Sequence, residues 1–335
     1  VHVRANVVAS QIEKHAEYGG VVPELAAREH LRAIDPVVDA TLQQAGCAPE
    51  DLDAVAVTHS PGLVPALLVG VSYARGLAAA AHLPFLPINH FLAHVYGAFL
   101  ETPDAAADPE QYPLLALVVS GGHTALVLIR RDGTVELVGQ TLDDAAGEAF
   151  DKAAKILDLG YPGGPVIDRI AARGNPRSVE FPRGLTGGGG RPLKPEHRLS
   201  FSFSGIKTAL LYHVRDRTVP DSELVDVVAS YQHAIVDVLV QKTRWAVEDS
   251  GAPTVVLCGG VACNSELRRA MGQAMTAENV HLIVAPPKYC TDNAAMVAGL
   301  ACQYRRTGIP SAEDPGVGAR LPSDLGRIPF APDAA

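Results

Sequence analysis

The sequence predicts an α/β protein made of two facing halves, and three observations predict it. Apolar runs of strand length alternate with longer helical patterns, a three-strand meander interrupts them, and a second strand–glycine–helix unit follows a long helical stretch. With 335 residues the chain exceeds one ordinary core, so two cores of similar size are expected. The boundary falls near residue 115: residues 1–115 form the first lobe and 116–335 the second, with a helical insertion over about 148–250 and an irregular tail after 308.

Each element follows from its residues. The run 54–58 is β-branched and apolar and leads into a helical pattern over 64–81, and 85–88 leads likewise into 91–100. Runs 114–120, 125–129 and 135–138 are strand candidates joined by the short turns Gly121-Gly122-His123 and Arg131-Asp132-Gly133, which makes an antiparallel meander. A mostly helical stretch from 148 to 251 ends in the long pattern 224–248. Strand 254–258 then runs into Gly259-Gly260-Val261 and a helix from about Asn264. Strand 281–284 leads to a last helix over about 292–305. Beyond Gly308 the Pro- and Gly-rich tail reads as irregular. No short-period repeat is present, which excludes solenoids and propellers. The pattern points to two ribonuclease-H-like lobes around a cleft, the place where a nucleotide would sit.

Composition narrows the function. The hydrophobic residues, 47% of the chain, occur in short runs broken by Gly, Pro and charge. No run approaches the roughly 20 apolar residues of a membrane helix, so no membrane partner is expected. Residues 1–11 show neither a signal nor a transit pattern, and a cytoplasmic location is the expectation. Five cysteines without a CxxC pair argue against a disulfide framework and a zinc ribbon. A net charge of −9 counts against nucleic acid in the sum. The local balance differs: Arg173, Arg177, Arg183, Arg191, Lys194, Arg198 and Lys207 face only Glu180 and Glu196 over the same stretch. That segment reads either as a solvated insertion or as a phosphate-binding surface.

Several residues can carry chemistry. His90 and His94 stand at i and i+4, one turn apart on one helix face, a spacing that lets both imidazoles reach one metal ion. They open a helix directly after a strand, at the sheet edge where α/β proteins place ligands. Ser120-Gly121-Gly122-His123-Thr124 is either a hairpin that uses glycine for positive φ or a turn whose amides face an anion. Gly259-Gly260-Val261-Ala262-Cys263-Asn264 offers backbone N–H groups and a helix N-terminus to a phosphate or ribose. Asp151 and Lys152 begin one helix, Asp168 lies one helix later, and Asp292 stands near the start of another; carboxylates at such positions bind ribose hydroxyls or are plain helix caps.

Taken together these segments resemble the universal tRNA adenosine threonylcarbamoyltransferases, the TsaD family, formerly labelled sialoglycoprotein endopeptidases. The likeness runs from Ala9-Ser10-Gln11 and His15-Ala16-Glu17-Tyr18-Gly19-Gly20-Val21-Val22-Pro23-Glu24-Leu25-Ala26-Ala27-Arg28 through Pro61-Gly62-Leu63, the His pair and Ser120-Gly121-Gly122-His123-Thr124. It continues through Gly147-Glu148-Ala149-Phe150-Asp151-Lys152, Tyr161-Pro162-Gly163-Gly164-Pro165 and Phe201-Ser202-Phe203-Ser204-Gly205-Ile206-Lys207-Thr208. It ends in the Gly259–Asn264 loop and Cys290-Thr291-Asp292-Asn293-Ala294-Ala295-Met296.

The resemblance implies that His90, His94 and Asp292 ligate one divalent metal, and that Val118, Val119, Ser120, Gly121, Gly122, Asp151, Gly164, Asp168 and Asn264 hold the adenylate and ribose. The nitrogen and oxygen donors suit iron or zinc, with Fe2+ expected and Zn2+ the alternative; adenylate or ATP is the bound nucleotide. Some members have a metal-binding tyrosine where Val118 stands, and valine cannot ligate. The implied reaction moves a threonylcarbamoyl group from threonylcarbamoyl-AMP to the N6 amine of the adenosine 3′ to the anticodon, in tRNAs that read codons beginning with A. Implied partners are tRNA, an inactive paralogue (TsaB-like) and a small ATPase (TsaE-like). This identity favours the phosphate-binding reading of the basic stretch. Members begin with a strand and an acidic Ser/Thr-rich phosphate loop before the Ala-Ser-Gln segment, so a first sheet without its opening strands is expected. Two other functions compete: a metalloprotease, which lacks a Glu beside the His pair to activate water, and a non-catalytic nucleotide-binding scaffold, which the fold alone allows.

Overall fold

In the computed structural model, residues 2–187, 193–215, 219–311, 316–319 and 324–334 are described. A short helix α1 (Ile12–Ala16) precedes α2 (Pro23–Ala45), which starts with Pro at its first position and stops at Gly46, left-handed at φ 64. The turn between them rests on the second half of the molecule through Lys155 Nζ, which donates to the Tyr18 carbonyl at 3.2 Å.

Strand β1 (Val55–Ser60), helix α3 (Val64–Ala80) and strand β2 (Phe85–Asn89) form a βαβ unit, with Val55 paired to Phe85 and Thr58 to Ile88 in parallel. Helix α4 (His90–Gly97) follows without a loop, because the Asn89 side chain accepts from the Phe91 and Leu92 amides and caps it. Apart from half-buried His90, every residue of α4 is buried, as expected for a helix apolar all round. A short helix α5 (Pro103–Ala106) leads to the second sheet.

That sheet has the order β7-β6-β3-β4-β5-β8. Strands β3 (Leu114–Val119), β4 (Thr124–Ile129) and β5 (Thr134–Gln140) are the antiparallel meander; β6 (Thr254–Cys258) and β7 (His281–Val284) continue in parallel beside β3. Strands β3, β4 and β6 are buried at every residue, because helices cover both faces. Between β5 and β6 come α6 (Ala146–Ile156), α7 (Gly163–Ala171), α8 (Ser204–Val214) and the long α9 (Asp221–Ser250). Helix α10 (Ser265–Ala277) connects β6 to β7, and α11 (Pro287–Cys290) precedes α12 (Ala294–Thr307). Three antiparallel strands extended by two parallel ones is the ribonuclease-H-like arrangement expected for the second lobe.

Two expectations need refinement. The insertion over 148–250 is not continuously helical: between α7 and α8 only Pro195–His197 is helical among the described residues. Gly174, Pro176, Pro182 and Gly184 break the pattern there, and the segment is held by side chains instead. Lys242 on α9, fully buried, donates to the carbonyls of Leu185, His197 and Arg198. Nor is the tail wholly irregular. Residues Asp324–Arg327 form β8, antiparallel to β5, and Ile328, Phe330, Ala331 and Ala334 are buried behind it. A four-residue strand amid Pro and Gly is too short for periodicity to reveal.

Helices α4 and α12 pack tightly on each other, which positions the site. A Cβ on Gly299 would lie 2.5 Å from Leu100 Cδ2 and 2.9 Å from Tyr96 Cε1, so only glycine allows this approach. Gln303 Nε2 then donates to the Tyr96 hydroxyl at 2.6 Å inside the contact. Each helix follows the last parallel strand of its sheet, so their N-terminal ends arrive at one place.

Candidate functional site

At that place His90, His94 and Asp292 meet. Oδ1 of Asp292 lies 3.2 Å from Nε2 of His90 and 3.2 Å from Nε2 of His94, and the two rings are 4.5 Å apart at 68°. All three offer a donor atom within 4.8 Å of the others. His94 is buried, His90 half-buried, and Asp292 reaches in from an exposed loop. Burial lowers the His94 pKa, with Asp292 partly opposing, which keeps the ring neutral and its lone pair available. Loss of solvation pushes the Asp292 carboxyl up, but the two imidazoles outweigh it and hold it well below the usual carboxylate range.

A cation fits this cluster on the chain's own geometry. His90 Nδ1 and both nitrogens of His94 are buried without a hydrogen-bond partner among the described residues. An unsatisfied buried polar atom costs about 1–3 kcal/mol, and one of these, His94 Nε2, lies 3.2 Å from the Asp292 carboxylate. Two imidazoles and a carboxylate are the donor set of an open divalent-metal centre. The alternative role for Asp292 as a helix cap is removed: Asn293 caps α12, its side chain accepting from the Met296 amide at 2.9 Å.

The two glycine loops emerge side by side next to the cluster, because β3 and β6 are parallel neighbours with Val118 opposite Cys258. Gly259 has φ 91, and a Cβ there would meet the Val119 carbonyl oxygen at 2.4 Å, so the loops touch backbone to backbone. In the turn after β3, Ser120 donates from its N–H to the His123 carbonyl at 2.8 Å and accepts from the His123 amide on Oγ at 3.2 Å. Gly121 and Gly122 are exposed, neither has positive φ, and a Cβ on either would meet nothing within 4 Å. Neither is required by turn geometry. The Gly121 backbone abuts the start of α6, where a Cβ on Gly147 would lie 2.7 Å from its Cα and 2.9 Å from its N, while the open side of the turn is exposed.

The structure treats the remaining expected ligands unevenly. Val118 and Val119 are fully buried in the middle of the sheet, so their side chains cannot reach a nucleotide. Only the backbone at the strand end faces the cleft. Asp151 lies inside α6 rather than at its start; its Oδ1 accepts from the Gly163 amide at 2.7 Å, and burial raises its pKa. Gly164 is open above it. Asp168 accepts from the Ser265 amide at 3.1 Å and hydroxyl at 2.8 Å, linking α7 to the start of α10. Asn264 caps α10 through the Leu267 amide at 2.9 Å and donates to Gln232 Oε1 at 2.8 Å. These carboxylate and amide groups therefore hold the loops to their neighbours.

One residue that sequence reasoning passed over is His123. Its ring stands edge-on to Phe91, 5.0 Å between centroids, and both line a cavity with Thr124, Gln140 and Thr141. Burial, then the charge of His90, lowers its pKa to about 4, so it faces the cluster as a neutral ring. The alternation of β4 places it outside the strand, and nothing local in the sequence signals that its neighbour would be Phe91.

Half of the described basic residues of the stretch are spent on internal pairs. Arg183 binds Asp237 at 2.7 Å, Arg198 binds Glu248 and Asp249 at 2.7 and 3.0 Å, and Lys207 approaches Asp144 at 3.5 Å. Lys194, Arg173 and Arg177 are exposed and have no ion pair among the described residues. Arg191 lies outside the described residues.

Fold and site together define a two-lobed, ribonuclease-H-like α/β protein with a His/His/carboxylate cluster at the mouth of paired glycine loops. Two solved HypF structures share the fold: full-length HypF in a phosphate- and nucleotide-bound form, TM-score 0.53 over 78% of this chain and 40% of that one, and T. kodakarensis HypF, TM-score 0.56 over 82% and 42%. Both are 13% identical. A profile of the family described as TsaD, tRNA N6-adenosine threonylcarbamoyltransferase, matches residues 2–299. Proteins of that name are similar to the chain in Syntrophus aciditrophicus, 48% identical over 88% of this chain and 83% of that one, and in Syntrophotalea carbinolica, 46% over 96% and 91%. Another from Symbiobacterium thermophilum is 47% identical over 94% and 90%. The chain belongs to the tRNA N6-adenosine threonylcarbamoyltransferase family, a family of transferases.

Proposed function

We infer that the chain transfers a threonylcarbamoyl group to the N6 amine of adenosine in tRNA, taking it from threonylcarbamoyl-AMP, at the adenosine 3′ to the anticodon in tRNAs reading codons that begin with A. The observation that carries this reading is the meeting of His90, His94 and Asp292 beside two glycine loops, in a chain 48% identical to a protein so named. We take His90, His94 and Asp292 as the residues that hold one divalent metal, Fe2+ before Zn2+. When bound, such an ion supplies Lewis acidity at a carbonyl or phosphoryl oxygen.

The chain's own residues do the rest. The exposed Gly121-Gly122 turn suits the phosphate that departs with the adenylate, with no side chain in the way. Asp151 and Asp168, each anchored on a backbone amide of the neighbouring loop, suit ribose hydroxyls near Gly164 and Asn264. His123, neutral and edge-on to Phe91, presents a hydrogen-bonding ring rather than a charge to the incoming group. The aromatic amine is a weak base and can lose its proton late, so no side chain has to act as general base. The two lobes divide near residue 115, and the cleft between them receives the substrate. Assistance by an inactive paralogue and a small ATPase, and a cytoplasmic setting, fit a tRNA-modifying enzyme; no helix among the described residues is long and apolar enough to cross a membrane.

A protease reading finds no support: among the described residues no carboxylate pairs with the two His other than Asp292, 3.2 Å from both imidazoles. The test is mass spectrometry of nucleosides from unmodified tRNA incubated with the chain, threonylcarbamoyl-AMP and the partner proteins. Threonylcarbamoyl-adenosine that requires the chain supports the reading; its absence in an otherwise active mixture rejects it.

A further inference from the structure

Beside the site, and unused by it, Cys263 and Cys290 face each other. Cys263 ends the single turn Gly260–Cys263 after β6, and Cys290 ends α11 two residues before Asp292. The two segments pack together: Cys263 Sγ points at the Pro287 carbonyl, 3.9 Å away. Arg268 clamps the pair from the other side. Its Nε donates to the Ala262 carbonyl at 2.5 Å, while its second nitrogen donates to the Ala285 carbonyl at 3.1 Å and to Cys290 Sγ at 3.5 Å. Cys263 is exposed and Cys290 is buried, so one thiol meets solvent and the other waits behind it.

We propose that Cys263 and Cys290 form an oxidisable dithiol that a peroxide converts to an intramolecular disulfide, tying the glycine loop after β6 to the loop that carries Asp292. The exposed Cys263 thiolate attacks a peroxide oxygen, breaking the O–O bond and leaving a sulfenic acid plus one molecule of water or alcohol. The Cys290 thiol then attacks the sulfenic sulfur, a second water leaves, and the S–S bond forms. Two thiols are oxidised, one peroxide is reduced, and two oxygens leave in reduced form.

Reactivity at Cys263 has a local cause. The neighbouring Cys290 thiol, and then the Arg268 guanidinium against the opposing effect of burial, lower the Cys263 thiol to about 6. The other cysteines differ in place: Cys258 is buried in β6 with its thiol pushed up, Cys47 lies in the loop after α2, and Cys302 is exposed on α12. A thiol that is exposed, acidic and backed by a resolving thiol is what peroxide oxidation selects.

The test treats the full chain with hydrogen peroxide and reads intact mass and cross-linked peptides. The expected result is a loss of two hydrogens, a Cys263–Cys290 linkage resolved from Cys302 by fragmentation, and recovery with dithiothreitol. Cys263→Ser, an exposed and fold-neutral change, should abolish the linkage and slow iodoacetamide labelling of the native chain at pH 7 by about 10-fold or more. Stable sulfenic or sulfinic acid at Cys263 without a link, or a link between other cysteines, would overturn the proposal. So would labelling of Cys47 or Cys302 ahead of Cys263.

Discussion

Asp292 carries more of the account than any other single residue. In the sequence it reads as a ribose ligand or a helix cap, and the family resemblance adds metal ligand; its distance along the chain from the His pair offers no choice among them. Three-dimensional placement decides: Asn293 takes the cap, and Asp292 is left 3.2 Å from both imidazoles. The His pair was legible at once, because i and i+4 on one helix is a local pattern. For Val118 and Val119 the sequence names the positions but not that both faces of β3 are covered, which leaves only their backbone to meet a ligand. If the three residues hold one ion, then Asp292→Ala and His94→Ala should each lower metal retained after dialysis by about 10-fold or more, given that even the outer partners of ligands are worth 10- to 100-fold. Elemental analysis per chain reads this directly. Full occupancy in Asp292→Ala would reduce the centre to the His pair.

Among the elements, those with strong periodicity or β-branched runs fell where the sequence put them: β6 and β7 begin and end as expected, and α3 and α9 differ by a few residues at their ends. The segments that were misread are those whose structure depends on distant partners. Residues between α7 and α8 take their shape from buried Lys242, which gathers three carbonyls from that segment, and no local pattern encodes such a clamp. Strand β8 exists because β5 offers an edge and because the residues after it plug the core. Phe330 stacks obliquely on Tyr96 and Phe99, at 5.2 and 6.2 Å between centroids, just behind α4. Phe330→Ala should therefore lower unfolding stability by about 3–5 kcal/mol, as a buried aromatic deletion does, measured by urea denaturation. A change below about 1 kcal/mol would mean that the tail is an ornament and α4 is held without it.

For the whole molecule, the net charge of −9 and the tRNA substrate pull in opposite directions, and the ion pairs show how they coexist. Arg183, Arg198 and Lys207 spend their charge on internal carboxylates, so what remains for phosphate along this stretch is Arg173, Arg177 and Lys194 among the described residues. Lys194→Glu should weaken tRNA binding and reduce the slope of log affinity against log salt by about one. Arg198→Glu should instead lower thermal stability, because it sets a third acid beside Glu248 and Asp249. Equal salt slopes for wild type and Lys194→Glu would move the tRNA surface elsewhere. The two-lobed arrangement itself was readable in advance, since order of elements alone implies it, whereas the charge balance of a loop was not, because partners fifty residues away set it.

The most direct measurement compares wild type, Asp292→Ala and Cys263→Ser in one assay that follows threonylcarbamoyl-adenosine in tRNA by nucleoside mass spectrometry, with threonylcarbamoyl-AMP and partner proteins in common. The account predicts product with wild type and with Cys263→Ser under reducing conditions, and a loss of about 10-fold or more with Asp292→Ala. Product at the wild-type rate from Asp292→Ala would contradict it, because transfer would then proceed without the meeting point of the two lobes.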